Sequence, residues 1–185
     1  MKILKNKSIV IVIACLCLAT GCQKSPSLAH AHILRTYELG SKLNAATDIG
    51  LSYSEFRNTL IDFVGAADVT LEMWPKDLSP NARQELIDAK QVWLFTEILW
   101  KDKIGNAKYE NLTILGMPDR LAQGLIDNIP ERLRQDFSLS EGYYLKDSSS
   151  GGTGKHLGYE KIGVALGVGA KEFHKSRLVV LQYLR

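Results

Sequence analysis

Two tryptophans and a carboxylate lie close together in one segment of the chain. Trp93, Glu97 and Trp100 are separated by four and three residues, and residues at these offsets share one face of an α-helix. Two indole rings beside a carboxylate can form the floor of a groove for a sugar ring or a peptide. The alternative is that both indoles lie in the core and Glu97 reaches the surface. We favour the core, because aromatic residues at helical spacing usually pack.

The histidines and the carboxylate pairs do not indicate a metal or catalytic site. His30 and His32 are two residues apart, so on a helix they point in different directions, and a zinc site needs three or four converging ligands. Glu85 and Asp88 have helical spacing, which is normal for acidic residues on a solvated helix face. We predict no catalytic set, no metal and no cofactor, and we favour a protein without enzymatic activity.

A glycine-rich stretch resembles a phosphate-binding loop only in part. In Gly151-Gly152-Thr153-Gly154-Lys155, the motif would require a glycine at Ser149 and a serine or threonine at His156. We therefore interpret the stretch as a flexible loop.

Apolar periodicity predicts the helices that would position these residues. The clearest helix has Ser52 as its cap and Glu55 three residues later, the arrangement of a capping box. An apolar stripe with intervals of three and four residues then runs from Phe56 to Trp74, where Trp74 could lie near Trp93. The other predicted helices are Leu28 to Ala46, Ser79-Pro80 to about Asp102, and Pro118 to Ile129, with a short turn over Glu131 to Phe137.

The last segment, Tyr159 to Arg185, allows two structures. Ile162, Val164, Leu166 and Val168 alternate with glycine and alanine, as they would in a strand, but the same residues also allow a helix with a small-residue face. We favour the helix, because the other elements are helical and need to be covered. The predicted fold is all-α, with four to five antiparallel helices in an irregular bundle that forms one domain over residues 28–185.

The first 22 residues have the layout of an export signal. Three lysines, Lys2, Lys5 and Lys7, precede an apolar run from Ser8 to Leu18, which is too short to span a membrane. The segment ends in Ala19-Thr20-Gly21-Cys22, which resembles the lipobox of bacterial lipoproteins, although Ala19 stands where the family usually has leucine. The resemblance covers only the signal, and no family is identified for the mature domain.

The resemblance to lipoproteins implies cleavage before Cys22 and acylation of this cysteine with palmitate-type chains. Residues 1–21 would then be the signal peptide, and residues 22–27 the anchor and a short tether. Ala19 and Gly21 also fit an ordinary secretory cleavage site, but acylation explains why Cys22 is the single cysteine of the mature chain. Gln23 is not the aspartate of inner-membrane retention, so the periplasmic face of the outer membrane is expected in a Gram-negative host.

The charge balance and the tether limit the partners that we expect. Removal of the three signal lysines leaves 20 basic and 20 acidic residues, which disfavours nucleic acid and an anionic membrane face as partners. The membrane is then a partner through the lipid on Cys22. The first functional hypothesis is a non-enzymatic module that binds an envelope protein or a cell-wall component close to the membrane. The alternatives are an envelope hydrolase of wall glycan or peptide, with Glu97 or another carboxylate as general acid, and an immunity or inhibitor lipoprotein.

Overall fold

A computed structural model describes residues 28–50, 52–106, 116–118, 124, 126–134, 144–146, 155–159 and 161–185. The described part is mostly helical, which confirms the predicted all-α class. The helices are α1 (Leu28–Ile49), α2 (Tyr53–Glu72), α3 (Pro80–Asn106), the single turn α4 (Glu131–Arg134) and α5 (Lys161–Tyr183), and the strands are β1 (Gly116–Pro118), β2 (Tyr144–Lys146) and β3 (Lys155–Gly158). The signal, Cys22, the tether and the loop over residues 148–154 lie outside the described residues.

Helix α2 begins at the predicted capping box. The Ser52 hydroxyl accepts a hydrogen bond from the Glu55 backbone N–H, and the Glu55 carboxylate accepts one from the Ser52 backbone N–H at 3.1 Å. These bonds satisfy two of the N–H groups that a helix start leaves without a helical partner. The predicted stripe is buried along its first four turns, at Phe56, Leu60, Phe63 and Ala67.

The four long helices form a bundle in which each packs on two others. The main pairs are α1 with α2, α2 with α3, α3 with α5 and, more weakly, α5 with α1. Helix α5 therefore lies diagonally opposite α2. Within the described residues, none of the helices combines the length and the apolar composition needed to cross a membrane.

The centre of the bundle is a group of aromatic rings. The Trp93 ring lies 5.0 Å from that of Phe63 and 5.6 Å from that of Phe173, and the Tyr37 ring stacks on Phe173 at 5.4 Å. These residues come from all four long helices. Edge-to-face and offset contacts of this kind add stability beyond the burial of apolar area.

The C-terminal segment, for which the sequence allowed either a strand or a helix, is the helix α5. Ile162, Ala165, Val168, Phe173 and Val180 are buried along one side of a continuous helix from Lys161 to Tyr183. The small residues let neighbouring side chains approach closely, since a Cβ at Gly169 would lie 2.4 Å from Trp93 Nε1. The preference for a helix is confirmed.

Three short strands form a small antiparallel sheet in the order β1-β3-β2. Pro118, where we expected a helix to begin, is instead the last residue of β1, in register with His156 of β3. An edge strand tolerates proline because one side of it needs no ladder N–H. The structure describes only some of the later residues of that predicted helix, and among them Gly124 and Ile126 are helical.

The α3 helix is longer than predicted. It continues to Asn106 instead of ending near Asp102.

Candidate binding groove between α2 and α3

The structure separates the three residues of the Trp–Glu–Trp candidate. Trp93 is fully buried in the aromatic centre of the bundle, and its Nε1 has no hydrogen-bond partner within the described part of the chain. Trp100 is half-buried, with its ring 5.5 Å from that of Phe56 and 5.9 Å from that of Tyr53. Only Glu97 lines an open surface.

Glu97 connects α3 to the first turn of α2. The Tyr53 hydroxyl donates a hydrogen bond to Glu97 Oε1 at 2.6 Å, and Arg57 Nε lies 3.5 Å from the same oxygen. Burial, then the hydrogen bond to Glu97 and the negative charge of its carboxylate, raise the pKa of Tyr53 to about 12. Tyr53 therefore remains a neutral donor at physiological pH, and this end of the α2–α3 contact is polar and ordered.

Trp74, which we expected near the trio, lies at the other end of α2. Its indole N–H donates to the backbone carbonyl of Leu78 at 3.3 Å. Tyr53 and Trp74 are separated by the length of α2, about 30 Å at the 1.5 Å rise of a helix. The expected proximity was wrong, because the antiparallel α2–α3 packing brings the start of α2, rather than its end, to Glu97.

A groove between α2 and α3 is the candidate functional site. It has a volume of about 240 Å³ and is lined by Arg57, Leu60, Ile61, Val64, Leu94 and Glu97. The walls are aliphatic, and their outermost side chains, Ile61 and Leu94, are 55% and 36% exposed. Ile98, one turn beyond Leu94, is exposed as well. An apolar surface of this kind lies in water unless a partner covers it.

Ion pairs cross from α2 to α3 on both sides of the apolar walls. Arg57 pairs with Glu97 on one side, and Lys90 Nζ lies 2.5 Å from Asp68 Oδ1 on the other. These pairs supply charge of both signs at the rim. With its volume below the roughly 300–1,000 Å³ usual for small-molecule sites, the groove suits one or two aliphatic side chains of a protein partner.

A second group of polar and charged side chains lies where α3, α4 and α5 meet. The carboxylates of Asp88 and Glu172 are fully buried, and both contact the Arg132 guanidinium, with Glu172 Oε2 at 3.1 Å from Nη1. Lys175 Nζ lies 2.5 Å from Glu172 Oε1, and Gln84 Nε2 donates to Asp88 Oδ1 at 2.9 Å. We call these five residues the charge cluster.

The charge cluster is a structural feature that the sequence interpretation missed. Asp88 was placed on a solvated face because Glu85 stands three residues before it, yet Asp88 is buried and its partner Arg132 is 44 residues away in the chain. No local pattern signals such a pairing. Each buried carboxylate is matched by a cation, as burial of charge requires, so the charge cluster fixes α4 on α3 and α5.

Metal-binding geometry is also absent from the described residues, which contain no group of three or more His, Cys, Asp or Glu side chains able to hold an ion. His30 instead contacts Tyr183, with ring centroids 5.7 Å apart.

Comparisons with known proteins return no relative. No protein-family model, no curated protein and no solved structure matches the chain.

Proposed function

We propose that this chain is a bacterial envelope lipoprotein whose helical domain binds a protein partner through the α2–α3 groove. In this proposal Cys22 carries the lipid, and in a Gram-negative host the domain lies on the periplasmic face of the outer membrane. The role is non-enzymatic: the anchor keeps the domain at the membrane, and the groove selects the partner.

The anchor is supported by the export signal and by the cysteine content. Basic residues, a short apolar run and Thr20-Gly21-Cys22 follow one another in the order of a lipoprotein signal. Cys22 is also the single cysteine that remains after cleavage, so it has no disulfide partner within the mature chain. Two or more acyl chains anchor a protein stably where one does not.

The observation that carries the binding proposal is the exposed aliphatic wall of the groove. Ile61 of α2 and Leu94 of α3 line the same groove, and Arg57 and Glu97 supply opposite charges at its rim. Interfaces between proteins combine such an apolar centre with a polar rim. We expect the partner to insert aliphatic side chains between α2 and α3.

The experiment compares capture of envelope proteins by matched variants of the lipidated protein. Ile61→Asp places a charge in the groove, whereas Leu34→Asp places the same charge on α1, where the leucine is similarly exposed. A specific partner should copurify with the wild type and with Leu34→Asp. With Ile61→Asp its recovery should fall at least about tenfold, the equivalent of about 1.4 kcal/mol.

Equal recovery with both variants would contradict a role of the groove in binding. The identity of the captured protein also separates two versions of the proposal. A toxin or a lytic enzyme whose activity is blocked in the complex would indicate an immunity or inhibitor role, and a structural envelope protein would indicate a scaffold role.

The position of Glu97 supports a second proposal, an envelope hydrolase. Glu97 lines the groove, so a bound glycan or peptide would meet a carboxylate there. If Glu97 is a general acid, Glu97→Gln should abolish hydrolysis of purified cell-wall fragments without loss of partner capture, since general acid–base catalysis typically contributes about 10²–10⁴-fold. A wild-type protein that leaves these fragments intact would remove this proposal.

A further inference from the structure

Helix α5 has an exposed stripe along its full length. Its members recur at intervals of seven, three or four residues, so they lie on one side of the helix, and every one of them is exposed. The outer stripe consists of Val164, Lys171, His174, Leu178 and Gln182, and the exposed Arg185 follows two residues after the end of the helix.

The outer stripe combines positive charge with exposed aliphatic side chains. Lys171 is the basic residue of α5 that lies on the outer stripe, Arg185 follows at its C-terminal end, and no acidic residue belongs to the stripe. The one acidic residue of the helix is Glu172. Glu172 is buried on the opposite side and is bound by Arg132 and Lys175, so it does not offset the charge of the stripe. Leu178 is 52% exposed and Val164 38%. Basic residues beside aliphatic ones are typical of helices that lie in a membrane interface.

The C-terminal end of the stripe is close to the anchor. The Tyr183 ring contacts His30 in the first turn of α1, so the last turn of α5 lies beside the start of α1. Only five residues separate Cys22 from Leu28, and at 3.3–3.6 Å per residue this segment reaches no more than about 20 Å. A lipid on Cys22 therefore holds this end of α5 near the bilayer surface.

We propose that the outer stripe of α5 lies on the anionic headgroups of the membrane that holds Cys22. This orientation rests on the proposed lipid anchor. The tether keeps the bilayer at a high effective concentration beside the stripe, and the basic side chains are attracted to anionic lipid within about one Debye length, roughly 8–10 Å. The neutral balance of the mature chain is compatible with this contact, because the outer stripe and the residue that follows it contain basic side chains and no acidic one.

The contact also determines the direction in which the groove faces. Helix α5 lies diagonally opposite α2 in the bundle, so a bundle that rests on the outer stripe turns the α2 side toward the aqueous compartment. A partner would then approach the groove without displacing the domain from the membrane.

The test places a fluorescent probe at matched leucines of the lipidated protein in vesicles. Leu178→Cys marks the outer stripe and Leu94→Cys marks the groove. The vesicles contain phosphatidylcholine with about one quarter phosphatidylglycerol and a nitroxide-labelled lipid that quenches probes at the surface. We expect quenching at position 178 to exceed that at position 94 by about threefold or more. Equal quenching at the two positions would overturn the proposal.

Charge reversal then tests the role of anionic lipid. Lys171→Glu with Arg185→Glu should reduce quenching at position 178 to the level in pure phosphatidylcholine vesicles. The control is the pair Lys101→Glu and Lys103→Glu, which reverses two exposed charges on α3 and should leave quenching unchanged. Because a charge variant can also alter folding, an increase in salt with the native charges is the second measurement, and it should weaken quenching at position 178. Quenching at position 178 that changes with neither salt nor charge reversal would overturn the proposal.

Labelling of Cys22 distinguishes this proposal from the proposed anchor. If Cys22 is acylated, the protein without an added cysteine takes no thiol probe, because Cys15 and Cys17 are removed with the signal. Labelling of that protein would contradict the anchor itself. The α5 contact alone would be contradicted if the protein without an added cysteine is not labelled, but the probes at positions 94 and 178 of the two cysteine variants are quenched equally.

Discussion

At the scale of single residues, glycine positions allow α5 to pack closely in the bundle. A Cβ at Gly169 would lie 2.4 Å from Trp93 Nε1, and a Cβ at Gly40 would lie 2.2 Å from the Phe173 ring. Both distances are far inside van der Waals contact. The large aromatic side chains of the core therefore require the absence of a side chain at these two positions.

The first prediction compares two glycines on the same helix. Gly169→Ala should destabilise the protein by about 1–3 kcal/mol, because the added methyl overlaps a buried indole. Gly167→Ala meets no atom within 4 Å and should be neutral or stabilising by up to about 1 kcal/mol, since alanine is the better helix former. Denaturant unfolding of both variants measures the difference. Equal stabilities would contradict the close contact between α5 and Trp93.

The residue types of the candidate site could be found in the sequence, but their environments could not. Spacing identified Trp93, Glu97 and Trp100 as neighbours on one helix, and Glu97 does line the groove. Whether an indole on that face meets solvent depends on α5, which begins 68 residues after Trp93. Tyr53 and Arg57, which bind Glu97, are 44 and 40 residues away from it, so periodicity within α3 carried no signal of them.

At the scale of elements, local chemistry predicted α2 better than the other segments. Its cap, its stripe and its end near Pro75 follow from side chains within a few residues of each other. The small sheet was not predicted, because its strands have only three or four residues and β1 pairs with the distant β3, with Gly116 in register with Gly158. Helix α5 stayed ambiguous because its alternating glycine and aliphatic residues also fit a strand, and the contact of Gly169 with Trp93 of α3 exists only in the folded protein.

The second prediction concerns the acidic residues at the junction of α3, α4 and α5. Burial, followed by the nearby Glu172 carboxylate, raises the pKa of Glu85 above its ordinary value of 4.5. Protonated Glu85 therefore favours the folded state below that value, and this contribution is lost as the pH rises through the folded-state pKa. Glu85→Gln, which cannot ionise, should raise the melting temperature at about pH 7 and leave it nearly unchanged at about pH 4. The expected gain in stability is about 0.5 kcal/mol.

Glu38 on α1 provides a control, because its pKa is shifted in the opposite direction to that of Glu85. A hydrogen bond from Lys42, together with its charge, lowers the pKa of Glu38. Its ionised form therefore favours the folded state at neutral pH, and that contribution is lost as the pH falls through the folded-state pKa. Glu38→Gln should lower the melting temperature at neutral pH and lose this effect in acid. Shifts of the same sign in both variants would contradict the assigned environments.

At the scale of the whole molecule, the proposed anchor, outer stripe and groove would together give the domain an orientation. In this proposal the tether brings the start of α1 and the end of α5 to the bilayer, the outer stripe lies against it, and the groove beside α2 faces the aqueous compartment. Apolar periodicity predicted the all-α class, and the residue count predicts a neutral balance for residues 22–185. Neither could predict that Glu172, the acidic residue of α5, is buried against Arg132 and Lys175 in the folded protein.

The third prediction is the central one, namely that Cys22 is acylated. The most direct measurement is mass spectrometry of the N-terminal peptide of the mature protein, together with labelling of cells by a fatty-acid probe. We expect a peptide that begins at a diacylglyceryl-modified Cys22, and we expect Cys22→Ser to accumulate as an unlabelled precursor. An unmodified N-terminal cysteine, or probe labelling that survives in Cys22→Ser, would contradict the anchor on which the proposed function depends.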